Sequence, residues 1–354
     1  MMTLPPHPVD IAELKAEIRQ QARRVTSYDV ARAAGVSQSA VSRAFQPGAS
    51  VSKATHARVM QAARELDYVP NAAARSLNTR RSNLVAVLMP VQVTLHYPEV
   101  LSQLSRQFSQ RGLRMLLLSL ARENDIDDAL AQVWQHQVDG AVVAARLSSA
   151  QIAEFERRRL PLVLFNRGLP DNQASAVVCD QRGAARLLVG RLAAAGHKRF
   201  ALIDGPPESP VALERRRGVA ERLAELGLGA PLCVNGSFDY SSGGRGLREI
   251  VVRLGHVPDA VICGNDVMAI GCLDTARHEM KLDVPGQLSI TGFGGIAQGD
   301  WLSYKLTTLR QPMHEMTQAA ATALLDLIEG AGPTRTSFSA VVVDGATARL
   351  GPAF

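Results

Sequence analysis

The chain has 354 residues, 46% of them hydrophobic and 20% charged, with a formal net charge of +6. That length allows two or three domains with a sizeable buried core. It contains no apolar run of the roughly 18 residues that a membrane span needs, its proline-containing start does not read as a secretory signal, and its four cysteines have neither CxxC nor metal-ligand spacing. These features exclude a membrane protein and a metal centre. A cytoplasmic protein with free thiols at Cys179, Cys233, Cys263 and Cys272 and no cofactor is expected.

The charge is unevenly placed. Residues 1–82 hold 12 Lys and Arg against 6 Asp and Glu, while residues 83–354 hold 27 of each. The excess fits a polyanionic partner or a solvated basic face. Residues 1–8 are proline-rich and expected to be disordered. Val9 to Arg24 has a weak amphipathic pattern and is read as a loose extension rather than a packing arm. Thr26-Ser27-Tyr28-Asp29 has the form of a capping box, in which Thr26 accepts from the backbone three residues on and Asp29 bonds back. A first helix then runs to about Ala34, and Gly35 supplies the left-handed turn. Ser37 caps a second helix that ends before Pro47-Gly48 and presents the polar Gln38, Ser39, Ser42 and Arg43. Ser52 caps a third, from Lys53 to about Leu66, with Val59, Ala62, Ala63 and Leu66 as its buried stripe. Three short helices with a glycine turn between the first two suit a helix-turn-helix head.

Tyr68 to Thr79 is rich in alanine, yet too short to offset its own nucleation cost in water, so a hinge helix here folds only when something packs against it. Within it, Leu77 is either a core contact or an apolar wedge for a minor groove. From Asn83 onward, short strand candidates alternate with amphipathic helices. The strands are Leu84–Met89, Leu113–Leu118, Gly140–Ala144, Leu160–Phe165, Ala176–Cys179, Phe200–Ile203, Ala260–Cys263, Leu288–Thr291 and Ala340–Val343. Such alternation predicts parallel sheets covered on both faces, and the number of strands fits two lobes with a cleft between them.

The run Val25-Thr26, Asp29-Val30-Ala31, Ala34-Gly35-Val36-Ser37, Val41-Ser42-Arg43, Val51-Ser52 and Tyr68-Val69-Pro70-Asn71 through Ala74-Arg75-Ser76-Leu77 resembles the head and hinge of LacI/GalR-family transcriptional regulators. The resemblance implies an all-α helix-turn-helix head with a hinge helix, followed by a two-lobed α/β core like that of periplasmic binding proteins. The expected bounds are an extension at 1–24, the head at 25–69, the hinge at 70–82 and the core at 83–354. Within the core, lobe 1 spans about 83–181 and 310–333, and lobe 2 about 182–309 and 334–354. The implied function is that of a repressor, a homodimer on a near-palindromic operator in double-stranded DNA, answering to a sugar, sugar acid or related metabolite. A small-molecule binding protein with no DNA role is the alternative. No dinucleotide-binding, P-loop or nucleophile-elbow motif is present, so no enzymatic activity is expected.

The expected DNA contacts are Thr26, Tyr28, Ser37, Gln38, Ser39, Ser42, Arg43, Ser52, Tyr68, Asn71 and Leu77, with Gln38 and Ser39 setting operator preference. Matched to the family pattern, the expected effector contacts are His96, Tyr97, Asn166, Arg215 and Asn265. Asp266 is expected to cap the helix that follows it, and capping remains an alternative role for Asn265. The clearest departure from the family is Gly292-Phe293-Gly294-Gly295, where members commonly carry two aspartates after the aromatic residue. With Leu213 in place of a family arginine, two groups that a simple hexose would use are missing, which favours an acidic ligand facing Arg215.

Overall fold

The computed structural model describes residues 9–46, 48–70, 81–90, 98–120, 125–167 and 174–352. The proline-rich 1–8, the hinge residues 71–80 with Asn71 and Leu77, and His96 with Tyr97 lie outside these ranges. The chain divides into two compact units, 1–82 and 83–354.

The first unit is all helical: α1 (Ile11–Gln20), α2 (Ser27–Ala34), α3 (Gln38–Ala44) and α4 (Lys53–Glu65). Gly35 ends α2 at φ 60°, where a residue without Cβ adopts the left-handed conformation at no steric cost. Val30, Val41, Val59 and Leu66 close one small core. The expectation of a loose N-terminal extension is overturned here. Leu14 is fully buried and Ile18 nearly so, both in that same core. Glu17 pairs with Arg32, and Arg23 with Asp29. The sequence pattern looked weak because only two residues of α1 point fully inward. The expected capping box of Thr26 and Asp29 is present, with a further bond between the two side chains. The Thr26 hydroxyl donates to the Asp29 carboxylate at 2.7 Å, and the Thr26 N–H donates to it at 2.8 Å. A buried carboxylate is the stronger acceptor and draws the hydroxyl to itself.

The second unit holds two six-stranded sheets. The first is ordered β11-β5-β4-β3-β1-β2 and is parallel throughout. Its strands are β1 (Leu84–Pro90), β2 (Arg114–Leu120), β3 (Gly140–Val143), β4 (Leu162–Phe165), β5 (Ser175–Cys179) and β11 (Arg335–Phe338). The second is ordered β12-β10-β9-β8-β6-β7. It contains β6 (Phe200–Asp204), β7 (Leu232–Asn235), β8 (Ala260–Cys263), β9 (Ser289–Gly294), β10 (Thr307–Arg310) and β12 (Val341–Val343). It is parallel except at its edge, where β12 runs antiparallel to β10. Helices α5 (Pro98–Ser109), α6 (Ile126–Gln135) and α7 (Ser149–Arg157) connect strands of the first sheet. Helices α8 (Gln181–Ala194), α9 (Pro210–Glu225), α10 (Tyr240–Leu254) and α11 (Asp266–Asp274) serve the second. Strands such as β1, β3 and β4 are buried almost along their whole length, as expected where helices cover both faces.

The chain passes between the sheets after Cys179, after Arg310 and after Phe338. The last helix, α12 (Met313–Ile328), packs on α5 and on β3, β4 and β5 of the first lobe. The boundary expected at residue 334 is therefore corrected. Arg335–Phe338 pairs with Ala176–Cys179 in the first sheet, and only β12 returns to the second. As a half-exposed edge strand, β11 carries no apolar run. For a related reason β10 was not legible: Thr307 and Thr308 are polar by type yet buried in the sheet. All four cysteines are free, three of them buried and Cys233 half-buried.

Candidate nucleic-acid interface and ligand cleft

In the head, the inner face of α3 is Val41 and Ala44, which leaves Ser39 and Arg43 exposed and Gln38 and Ser42 half-exposed. Ser37 caps the helix, accepting from the Ala40 N–H at 3.3 Å, and its hydroxyl also lies 3.0 Å from that of Ser39. Gln38 Nε2 donates to Ser27 Oγ at 3.3 Å, which joins the first turns of α2 and α3. Tyr28, beside Ser27, is 68% exposed. Tyr28, Gln38, Ser39, Ser42 and Arg43 thus stand on two helices tied together at their first turns, Arg43 in the last turn of α3, with side chains that suit base edges and phosphates. The other expected contacts differ in kind. The hydroxyl of Ser52 caps α4 through Thr55, and that of Thr26 is engaged by Asp29. Tyr68 packs edge-on against Phe45, ring centres 5.8 Å apart. A basic groove of Arg43, Lys53 and His56 continues from α3 to the start of α4.

Between the lobes lies a cavity of about 300 Å³. Phe165, Phe238, Phe293, Met89, Val100 and Val211 form much of its wall, and Asn166, Arg215, Asn265, Asp266 and Gln311 supply polar groups. Three of the expected contacts, Asn166, Arg215 and Asn265, are therefore brought together. Asn166 follows β4 in a left-handed conformation, φ 52°, which asparagine tolerates better than most residues. Its Nδ2 donates to Gln311 Oε1 at 2.8 Å, and its Oδ1 accepts from Gln181 Nε2 at 2.9 Å. Arg215 donates through Nε to Gln181 Oε1 at 2.9 Å and through a terminal nitrogen to the Gly264 carbonyl. Its guanidinium lies 3.6 Å above the Phe293 ring, a cation–π contact made strong by burial. Gln181 stands just past the first lobe crossing and Gln311 at the second, so this network spans the points about which the lobes connect. Gln311 is 3% exposed, and its Nε2 has no hydrogen-bond partner.

Asn265, not Asp266, caps α11, accepting from the Met268 N–H at 2.8 Å while its Nδ2 donates to the Phe238 carbonyl at 2.9 Å. The expected capping role of Asp266 is thereby corrected. The Asp266 carboxylate is buried and takes the N–H groups of Gly295 at 2.5 Å and Ile296 at 2.8 Å, together with the Thr308 hydroxyl. Burial pushes its pKa up, against the pull of those donors and of Arg215. This explains the glycine at 295. Gly295 sits at φ 78°, and a Cβ there would come within 2.5 Å of Arg310 Cγ. The loop folds back onto Asp266 in a path that a side chain at 295 would block. Gln181, Gln311 and this role of Asp266 were missed from sequence. A polar residue directly after a strand, at a lobe crossing, is the signal by which Gln311 could have been found.

Residues 26–71 match the family model for bacterial regulatory proteins of the LacI family, and residues 189–347 match that for a periplasmic binding protein-like domain. The HTH-type transcriptional repressor CytR of Escherichia coli K12 is 31% identical over 316 residues, covering 88% of this chain and 92% of the relative. The HTH-type transcriptional regulator AscG of the same organism is 30% identical, covering 86% and 92%. Among solved structures, a Lac repressor dimer bound to operator and the anti-inducer ONPF aligns with a TM-score of 0.82 at 24% identity, over 92% of this chain and 99% of that one, a likeness of fold. A LacI-family regulator from Silicibacter pomeroyi aligns with a TM-score of 0.80 at 27% identity, over 91% and 99%. With its head, its two-lobed core and these relatives in agreement, the chain belongs to the LacI family of bacterial regulatory proteins.

Proposed function

We infer that this chain is a transcriptional repressor, binding an operator in double-stranded DNA as a homodimer and changing its affinity when a small molecule occupies the cleft. The observation that carries this is the joining, in one chain, of a helix-turn-helix head with exposed Ser39 and Arg43 and half-exposed Gln38 to a core whose cavity is lined by residues at the lobe crossings. A ligand that bridges Asn166 and Arg215 stabilises one arrangement of the lobes over another, and only such a difference in affinity shifts the protein between states. Relatives named as repressors and a neighbour solved as a dimer on operator support this assignment. A neighbouring regulator was solved as a complex with cellobiose, which supports a sugar or related metabolite as effector. The base contacts are assigned to Gln38, Ser39 and Arg43, and the effector contacts to Asn166, Arg215 and Asn265. No catalytic step is assigned to either unit, and the site of action is the cytoplasm, where the DNA is. Selection of duplexes from a randomised library, followed by gel shifts with a metabolite panel, tests the function. Recovery of no preferred sequence would refute it.

A further inference from the structure

We propose that Arg23, just past the N-terminal helix α1, is a positioning residue for DNA reading: it fixes the start of α2 through Asp29 and so sets the placement of Ser27, Tyr28 and Gln38. The proposal rests on the DNA-reading function inferred above. The LacI family match begins at residue 26, so α1 and Arg23 are an addition in front of it. That addition grips α2 at both ends. At the far end, the Val9 N–H donates to the Arg32 carbonyl at 3.3 Å, and Glu17 takes the Arg32 guanidinium at 3.1 and 3.3 Å. At the near end, Arg23 forks onto Asp29, with N–O distances of 2.6 and 2.9 Å. Leu14 and Ile18 in the head's core fix the base from which Arg23 reaches.

The geometry separates Arg23 from a phosphate contact. Its Nε donates to Gln21 Oε1 at 2.7 Å, and one terminal nitrogen also reaches the Arg24 carbonyl at 3.4 Å. Four of the five guanidinium N–H groups are thus engaged inside the protein. Asp29, 3% exposed, would keep only Thr26 as a partner if Arg23 were lost, leaving a buried carboxylate at the first turn of α2 short of its counter-charge. That turn carries Ser27, which braces Gln38, and the exposed Tyr28. A shift of a few tenths of an ångström there reaches base-reading groups on both helices, whereas contacts to phosphate carry no sequence information directly and supply the sequence-independent part of binding.

The test uses the full chain and two duplexes: the one that the wild type selects from a randomised library, and a scrambled sequence of equal length. Arg23→Gln is expected to weaken binding to the selected duplex about tenfold, with binding to the scrambled duplex unchanged. The slope of log affinity against log salt should also stay unchanged, whereas loss of a phosphate contact lowers it by about 0.9. An equal loss on both duplexes with a reduced slope would make Arg23 a phosphate contact and overturn the proposal, as would no loss at all. If Arg23→Gln unfolds the head, Arg23→Lys decides by the same two readouts, since it keeps a cation on Asp29 but lacks the fork. A wild type that selects no sequence overturns the DNA reading itself. A selected sequence that Arg23→Gln binds as well as wild type overturns only the proposal.

Discussion

Truncating Leu14 to alanine tests whether the N-terminal helix is part of the head. The side chain is fully buried among Ile18, Val30, Val59 and their neighbours. Leu→Ala at such a site costs about 2–5 kcal/mol, the lower half applying where neighbours can collapse into the space. Since α1 lies on the rim of a small unit, about 3 kcal/mol is expected, or roughly a hundredfold in the opening equilibrium. For a unit this size that is a large part of its stability. Both tryptophans, Trp134 and Trp301, lie in the core, so their fluorescence follows the core alone. Amide hydrogen exchange across α1, α2 and α4 reads the head directly. The matched control is Ala16→Gly, exposed on α1, which should cost about 1 kcal/mol by helix propensity alone. If Leu14→Ala costs no more than the control, or leaves exchange in α2 and α4 unchanged, the packing of α1 on the head is wrong.

Three further outcomes are expected. Gly295→Ala places a Cβ against Arg310 at a positive φ and should lower the core's unfolding midpoint by several degrees in a thermal scan that leaves the head unaffected, the strain being of order 1–3 kcal/mol. Gln311→Glu replaces the buried, unpartnered Nε2 with an oxygen. If the effector accepts from that group, the effector concentration needed to release the selected duplex rises about tenfold while DNA affinity without effector is unchanged; an unaltered response would show that Nε2 does not face the ligand. The third concerns pH. Burial raises the Asp29 carboxyl, but hydrogen bonds from Arg23 and Thr26 outweigh it and hold its pKa at about 2. Because the folded value is depressed below the unfolded one near 4, this stabilisation is complete above about pH 5 and is lost as pH falls from there toward 2. Acid unfolding of the head should therefore be shallower in Asp29→Asn than in wild type between about pH 5 and 2, and identical profiles would refute the assignment.

Much of this protein was legible because its signals are local. Thr26 to Asp29, Gly35, Ser37 and Ser52 mark helix ends by side chains that act within three or four residues. All nine apolar runs expected as strands in the core are strands, and for the central ones the reason is that burial on both faces of a parallel sheet demands continuous apolar sequence. The short polar-faced elements were not legible. Thr307 and Thr308 in β10 are buried, and Arg335–Phe338 forms an edge strand, so neither has the composition that announces a strand.

What only the tertiary structure decided are contacts between residues far apart in sequence. Sequence placed Asn166, Arg215 and Asn265 in a cleft by family pattern, yet it could not show that Gln181 and Gln311, 130 positions apart, bind Asn166 together. Nor could it show that Asp266, with a helix cap beside it, reaches a loop 29 residues on. The glycines at 294 and 295 read as a departure from the family pattern; the fold shows Gly295 to be required by a backbone path that closes on Asp266. The N-terminal helix makes the same point. Its two buried residues are too few to predict docking, because a short helix is held by the surface it meets rather than by its own sequence, and that surface exists only once α2 and α4 have packed.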